Sequence, residues 1–147
     1  MMPWLALFAV IAVGFLGWTL YRRFGSDRIL AFNEQRRGSS RIVGRGELVD
    51  GNRHLEVALA VTQSTFFYEN ADMEASIDLQ WVREIEYDTE LSTGTTPAAG
   101  KVLRLRSHSQ TFEFVLPDDV VARWHMMLPP RRATDAAIGV PQVVAAT

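Results

Sequence analysis

An uncharged apolar run near the N-terminus constrains this chain more than any other feature of its sequence. The run, from Trp4 to Tyr21, holds 18 residues without an Asp, Glu, Lys or Arg. At 1.5 Å per residue, a helix of that length spans about 27 Å, close to the roughly 30 Å hydrocarbon thickness of a bilayer. Trp4 stands at one end and Trp18 with Tyr21 near the other, where aromatic rings favour the headgroup level. The run therefore predicts a transmembrane helix over residues 4–21.

A cleaved signal peptide and a buried core helix are the two other interpretations of this run. A signal peptide needs a basic segment before the apolar stretch and small residues before the cleavage site. Here no Lys or Arg precedes the run, and the residues in front of Arg22 are mostly bulky. A helix that is apolar on every side cannot be covered by so small a domain, so a core helix is disfavoured as well. We therefore expect an uncleaved single-span anchor in the bilayer.

The arginines after the run indicate its orientation. Arg22 and Arg23 follow it directly, whereas its N-terminal side offers only the α-amine. Because positively charged flanks stay on the cytoplasmic side, we expect the N-terminus outside and the following domain in the cytoplasm, at the cell (inner) membrane. The predicted membrane-anchor residues are thus Trp4, Trp18, Tyr21, Arg22 and Arg23.

Residues 22–40 form a basic juxtamembrane segment. Within it, Ser26–Arg37 can continue as a helix with Ile29, Leu30 and Phe32 on an apolar side. Its arginines either lie near anionic headgroups or belong to an ordinary solvated linker, and the sequence leaves both interpretations open.

The charge of the chain changes sign along its length. The formal net charge is −2, but residues 54–147 hold seven Lys and Arg against thirteen Asp and Glu, which is −6. That acidic balance disfavours nucleic acid as a partner. The chain has no cysteine, which excludes disulfides, thiolate metal sites and a cysteine nucleophile.

From Arg41 onwards the apolar residues alternate with a period of two, which is typical of strands with one wet face. The segment Leu91–Gly100 is polar, consists of small residues and is expected to be a mobile loop. A helical period follows over 118–128, and the last residues, 131–147, show no clear period and are expected to be disordered. The predicted strands lie near Gly46–Val49, Leu55–Thr62, Thr65–Tyr68, Ala75–Leu79, Ile85–Thr89, Val102–Ser107 and Thr111–Leu116.

Three stretches of hydrophobic spacing carry a family resemblance over residues 41–130. They are Ala60-Val61-Thr62 through Phe66-Phe67-Tyr68, then Ile77-Asp78-Leu79 with Val82 and Ile85, and finally Phe112-Glu113-Phe114 before a helix with Trp124. In these stretches the chain resembles the small bacterial pleckstrin-homology-like (PH-like) and GRAM-like domains that often follow a membrane anchor. The resemblance implies an α+β, mainly β fold: an antiparallel seven-stranded sandwich or barrel capped by a C-terminal amphipathic helix. It also implies a module that binds lipid or protein.

The first hairpin departs from the pattern of lipid-binding members of that family. Those members resemble one another in a hairpin rich in Lys and Arg, whereas here Arg45 and Arg53 are diluted by Glu47 and Asp50. Inositol-phosphate binding is therefore not carried over to this chain.

No residue pattern predicts catalysis, a cofactor or a metal. His54, His108 and His125 form neither an i, i+4 pair nor an HExxH arrangement. Ser107 and Ser109 flank His108, but they lack the GxSxG context, and adjacent strand residues point to opposite faces. We therefore expect a protein that is not an enzyme.

The edge of the helix over Pro117–Leu128 and two charged surfaces are candidates for a partner or lipid contact. Glu84, Glu86 and Asp88 alternate with apolar residues, which predicts an acidic, solvated strand face. Arg104 and Arg106 lie on the polar face of the last hairpin. They form either a small basic patch or cross-strand pairs with Glu113, and the pairing is favoured because opposite charges commonly pair across antiparallel strands.

These features together predict a membrane-anchored, non-enzymatic binding or scaffold module whose domain docks a membrane-protein partner at the cytoplasmic face. The alternative is a module that senses anionic lipid through its juxtamembrane and sheet-face arginines. A small hydrolase or an enzyme accessory subunit is the least favoured interpretation, since no catalytic pattern supports it.

Overall fold

A computed structural model describes residues 14, 25 and 27–133 of the chain. Residues 27–37 are helical and are called α1 here. All seven predicted strands are found, and the C-terminal helix follows them. The bounds are β1 Ile42–Asp50, β2 Arg53–Val61, β3 Thr65–Glu69, β4 Glu74–Asp78, β5 Val82–Asp88, β6 Lys101–Ser107, β7 Thr111–Leu116 and α2 Asp118–Met127.

The strands form one antiparallel sheet in the order β4-β3-β2-β1-β7-β6-β5. Neighbouring strands are consecutive in sequence except at β1–β7, where Leu48 lies opposite Phe114. The two edge strands, β4 and β5, are joined only by residues 79–81. Six inter-strand spacings of about 4.8 Å would separate the edges of a flat sheet by about 29 Å, more than so short a link can span. The sheet therefore bends until its edges approach each other.

The bend encloses one apolar core to which every strand contributes. α2 covers this core with Trp124, which is 1% exposed and packs 6.1 Å from Phe66 between ring centroids. Gly44 in β1 makes room for the indole, because a Cβ there would stand 3.2 Å from Trp124 Nε1. The buried members of the core are Ile42, Leu48, Val57, Leu59, Val61, Phe66, Tyr68, Ile77, Val82, Ile85, Leu103, Leu105, Phe114, Leu116, Trp124 and Leu128.

The outer surface of the sheet is covered by α1 over β2 and β3. Ile29 and Phe32 pack there against Ala58 and Ala60, all four of them buried. The two alanines matter because their small side chains let the helix approach the strand closely. As a result β2 is buried on both faces over Val57–Val61 and has no wet face in this part.

Two arginines of α1 tie the helix to the sheet. Arg36 places its guanidinium carbon 3.8 Å from the centre of the Phe67 ring and pairs with Glu74 at 3.6 Å. Arg28 donates to the carbonyl of Ala71 at 3.2 Å. Of the two interpretations left open for this segment, the solvated linker does not describe residues 27–37, because α1 is part of the folded domain, whereas headgroup contact stays a prediction. Its predicted apolar side holds for Ile29 and Phe32, whereas Leu30 is 57% exposed.

α1 lies along the outer face of β2 and β3, and its first described turn is at the end of the strands away from α2. The first turn of the described helix contacts the β3–β4 turn through Arg28 and Ala71. α2 contacts the other end, where Trp124 packs near Gly44 at the start of β1 and near Phe66 at the start of β3. A chain that enters through α1 therefore reaches the domain at the end away from α2.

The predicted anchor over 4–21 lies outside the described residues. Among the residues that are described, no helix is long and apolar enough to cross a membrane. The predicted disordered tail begins at residue 131, and Arg131 itself forms a bridge with Ile85 of β5. Residues from 134 onwards are also outside the described part of the chain.

Replacing Phe32 by Ala should destabilise the domain by about 3 kcal/mol, because it removes a buried ring between α1 and β2. Leu30→Ala, on the same helix but exposed, is the matched control and should stay within about 0.5 kcal/mol of wild type. Chemical denaturation in a single detergent measures both. Equal effects of the two substitutions would contradict the docking of α1.

Candidate functional site

The outer face of β5, β6 and β7 brings the predicted charged residues together. Register places Glu86 of β5 directly opposite Arg104 of β6, and Arg104 directly opposite Glu113 of β7. Glu84 lies opposite Arg106 in the same way. Since residues opposite each other share a face of the sheet, the three strands form a ladder of alternating charge.

Arg104 is the centre of this ladder and is only 5% exposed. Its Nε donates to Glu113 Oε1 at 2.8 Å, and Nη1 donates to Glu86 Oε2 at 2.8 Å and Asp88 Oδ2 at 3.2 Å. Nη2 donates to the carbonyl of Glu90 at 2.8 Å. All three guanidinium nitrogens are therefore bound within the chain.

The charges stabilise one another against the cost of burial. Desolvation by itself would lower the pKa of Arg104, but hydrogen bonds to Glu113, Glu86 and Asp88 outweigh it and raise that pKa above its ordinary value. Burial would likewise raise the pKa of the Glu113 carboxyl, yet hydrogen bonds from Arg104 and Ser92 bring it below the usual range. Arg104 and Glu113 are thus both ionised at neutral pH.

The β5–β6 loop is attached to this ladder at its start. Ser92 donates to Glu113 through its backbone N–H and its hydroxyl, both at 2.9 Å. Leu91 is 5% exposed and packs on Val102 and Val115 in a small second core on the outer face. The first residues of the predicted mobile loop are therefore packed against the sheet.

The ladder leaves a surplus of negative charge at the surface. Four carboxylates, from Glu84, Glu86, Asp88 and Glu113, face two guanidinium groups, which leaves −2. Glu113 is buried, whereas the side chains of Glu86 and Asp88 are 42% and 36% exposed. Along β5 itself the three carboxylates outnumber the one exposed arginine, Arg83, so the surface that a partner meets there is acidic.

The predicted cross-strand pair of Arg104 with Glu113 is confirmed. The competing prediction, an open basic patch, is wrong for Arg104 because this side chain is buried. Arg106 is 45% exposed at its side chain and pairs with Glu84 at 3.0 Å. The five predicted anchor residues lie outside the described part of the chain: Trp4, Trp18, Tyr21, Arg22 and Arg23.

A second polar cluster lies where the two sheet edges meet. The backbone N–H of Arg131 donates to the carbonyl of Ile85 at 2.9 Å, and the N–H of Ile85 donates back at 2.8 Å. The Arg131 guanidinium donates to the carbonyls of Leu79, at 3.0 Å, and Val82. Tyr87 fixes the end of α2 beside this cluster, since its hydroxyl donates to the carbonyl of Leu128 at 2.8 Å.

Other surfaces offer less organised chemistry. A shallow cleft of about 390 Å³ beside β1 carries Arg45, Glu47 and Glu56, and Arg45 pairs with Glu56 across it at 3.9 Å. His108 is exposed in the β6–β7 turn and accepts from Arg83 Nε at 3.1 Å. Within residues 27–133, no group of His, Asp and Glu is arranged to hold a metal ion.

Three features of this region were missed in the sequence analysis. A second covered face of β2, which is the docking site of α1, could have been predicted, because the uninterrupted apolar run Val57–Val61 is typical of a strand buried on both faces. Leu91 was a weaker signal, as the one large apolar side chain in a polar loop. The contacts of Arg131 could not be predicted from the sequence, because they are with distant backbone carbonyls that no local pattern specifies.

The comparisons with known proteins add no relative. No family model matches the chain, and neither a curated protein nor a solved structure matches it significantly.

Glu113→Gln should lower the free energy of unfolding by about 2 kcal/mol at pH 7, because it removes the buried partner of Arg104. The folded-state pKa of Glu113 is lowered, so its contribution is complete above the unfolded-state pKa of about 4.3 and is lost as pH falls through the folded value. Denaturant titrations of wild type and variant from pH 7 to pH 3 should therefore converge in acid.

Glu56→Gln is the control for that titration, since this exposed carboxylate stands 3.9 Å from Arg45. Its effect should stay within about 0.5 kcal/mol at every pH. A Glu113→Gln difference that is constant from pH 7 to pH 3 would show that the ion pair is not its source.

Proposed function

We propose that this chain is a membrane-anchored, non-enzymatic binding module: a PH-like domain, held by a single N-terminal span, docks a membrane-protein partner at the cytoplasmic face. The surface proposed for docking is the acidic strip, defined as Glu84, Glu86 and Asp88 of β5. The strip lies on the outer face of the sheet and is not covered by α1, which packs over β2 and β3.

The charge of the acidic strip is the observation that carries this proposal. Arg104 is buried and bound on all its nitrogens, so its donors are not available to a partner, and the charge it shares with the carboxylates still leaves a surplus of −2. A net-acidic surface attracts a basic protein segment and repels an anionic headgroup. Membrane proteins present such basic segments on their cytoplasmic side.

The PH-like assignment is supported by the strand connectivity. Seven antiparallel strands followed by a C-terminal helix over the core are the arrangement that the family resemblance implies. Fold alone does not assign a ligand, so the choice of partner depends on the surface.

Anionic-lipid sensing is less favoured because four of its arginines are engaged within the domain. Arg104 and Arg106 pair with β5 acids, and Arg28 and Arg36 pair with Glu69 and Glu74. Lipid sensing would have to depend on other arginines, such as the exposed Arg37 and Arg41 or those nearer the predicted anchor.

Topology can be measured with single-cysteine variants, because the chain has no native cysteine. Thr96→Cys places a thiol on the exposed part of the β5–β6 loop, away from the Ser92 contacts with Glu113. We expect a membrane-impermeant thiol reagent to label it only after permeabilisation. Met2→Cys, on the other side of the predicted anchor, should be labelled in intact cells. Labelling of Thr96→Cys in intact cells would overturn the cytoplasmic assignment.

Docking through the acidic strip can be tested by charge reversal in cells. A photo-crosslinking residue at Glu90, next to the strip, should form an adduct with an integral membrane protein. The double variant Glu84→Lys and Glu86→Lys should abolish the adduct, since it turns attraction into repulsion. Glu56→Lys reverses an exposed charge on β2 and should leave the adduct in place. An adduct that still forms in the double variant as well as in Glu56→Lys would place the contact elsewhere.

A further inference from the structure

The gap between β4 and β5, called the seam here, is where the sheet leaves backbone groups available. These strands are the two ends of the hydrogen-bonded order, and the link 79–81 brings them together without pairing them. An unpaired strand edge is a template for another extended chain. The seam is therefore the place in this sheet where an additional strand can be accepted.

The chain already occupies the seam with one of its own residues. Arg131 forms a two-bond antiparallel pair with Ile85, and its guanidinium fills the position in front of the carbonyls of Leu79 and Val82. Its Nε is buried without a partner, so the fit is incomplete. Pro129 and Pro130 precede it and carry no N–H to donate, which limits the pairing to a single bridge. The occupant is short, and few bonds must break to release it.

We propose that the β5 edge is a strand-addition site for a basic, extended segment of the membrane-protein partner, and that Arg131 occupies it in the free protein. This inference rests on the proposed function and specifies the chemistry of its partner. The site offers the N–H and carbonyl of Ile85 for backbone pairing and two further carbonyls for a guanidinium. A partner segment with an arginine meets the same four groups that Arg131 meets.

Charge complementarity supports the choice of occupant. The acidic strip runs along β5, the same strand whose edge is paired with Arg131, and it ends near Glu90. A strand added to this edge would place alternate side chains beside those carboxylates. The chain's own occupant has this character, since Arg131 is followed by Arg132. The juxtamembrane segments of membrane proteins are basic for topological reasons, which makes them suitable ligands.

Binding of such a segment must displace Arg131, so weakening Arg131 should strengthen binding. The probe is a fluorescein-labelled peptide with the sequence Pro-Pro-Arg-Arg-Ala-Thr, that of residues 129–134. It is titrated by fluorescence anisotropy against the full chain in detergent micelles. Arg131→Ala should bind the probe about tenfold more tightly than wild type, because the guanidinium no longer competes for the two carbonyls.

Controls separate strand addition from a general charge effect. Arg123→Ala removes an exposed arginine of α2 and should leave the affinity unchanged. A peptide with alanine at both arginine positions should bind at least about tenfold more weakly. Glu84→Lys with Arg131→Ala should abolish binding, whereas Glu56→Lys with Arg131→Ala should not.

Arg131→Lys provides the test if the alanine variant does not fold, because it keeps the backbone pair with Ile85 and one charged donor. The affinity of this variant for the labelled peptide should be higher than that of wild type. Equal affinity of wild type and each folded Arg131 variant would overturn the proposal and leave Arg131 as a structural contact. If the peptide binds neither wild type nor the Arg131 variants while the Glu90 adduct still forms in cells, strand addition is refuted and the proposed function stands.

Discussion

The three-residue link between β4 and β5 is the constraint on which the rest of this structure depends. Because β1 pairs with both β2 and β7, the two halves of the meander grow outward from one central strand and end in two edges that the link holds together. The sheet must bend, and bending creates an enclosed core with an open end. α2 covers that end with Trp124, and Gly44 provides the space it needs. The seam remains between the edges, and Arg131 is the residue that partly fills it.

The outer face of the sheet is covered in two different ways, one over each half of the sheet. Over β2 and β3 the cover is apolar: α1 buries Ile29 and Phe32 against two alanines. Over β6 and β7 it is partly ionic, because Arg104 and Glu113 are buried under a loop that Leu91 and Ser92 attach. A buried ion pair contributes little net stability compared with apolar packing of the same volume, but it penalises any register that leaves one partner unpaired. The ladder therefore specifies how β5, β6 and β7 align.

Local periodicity was sufficient to predict the strands and α2, because each of them has an apolar face that recurs every two or every 3.6 residues. Periodicity did not predict which side chains are buried where tertiary structure covers the second face of an element. Arg104 alternates with Leu103 and Leu105 and was assigned to solvent, yet the β5–β6 loop covers it. α1 was predicted as a helix with an apolar side, but not its docking site, because docking depends on Ala58 and Ala60 being small at positions far along the chain. The predicted span over 4–21 lies outside the described residues and stays a prediction.

The distribution of arginines gives the most direct argument about the partner. An arginine can serve recognition only while its donors are free, and Arg104 has all its nitrogens bound to the chain's own carboxylates and a carbonyl, while Arg106 and Arg28 each donate one hydrogen bond within the chain. The carboxylates outnumber them along β5, so the same ion pairs that align the sheet also set the sign of its surface. A domain tethered as we propose would have both the membrane surface and the cytoplasmic segments of neighbouring proteins within reach. Between an anionic headgroup and a basic peptide, an acidic strand favours the peptide, which is the partner that we propose.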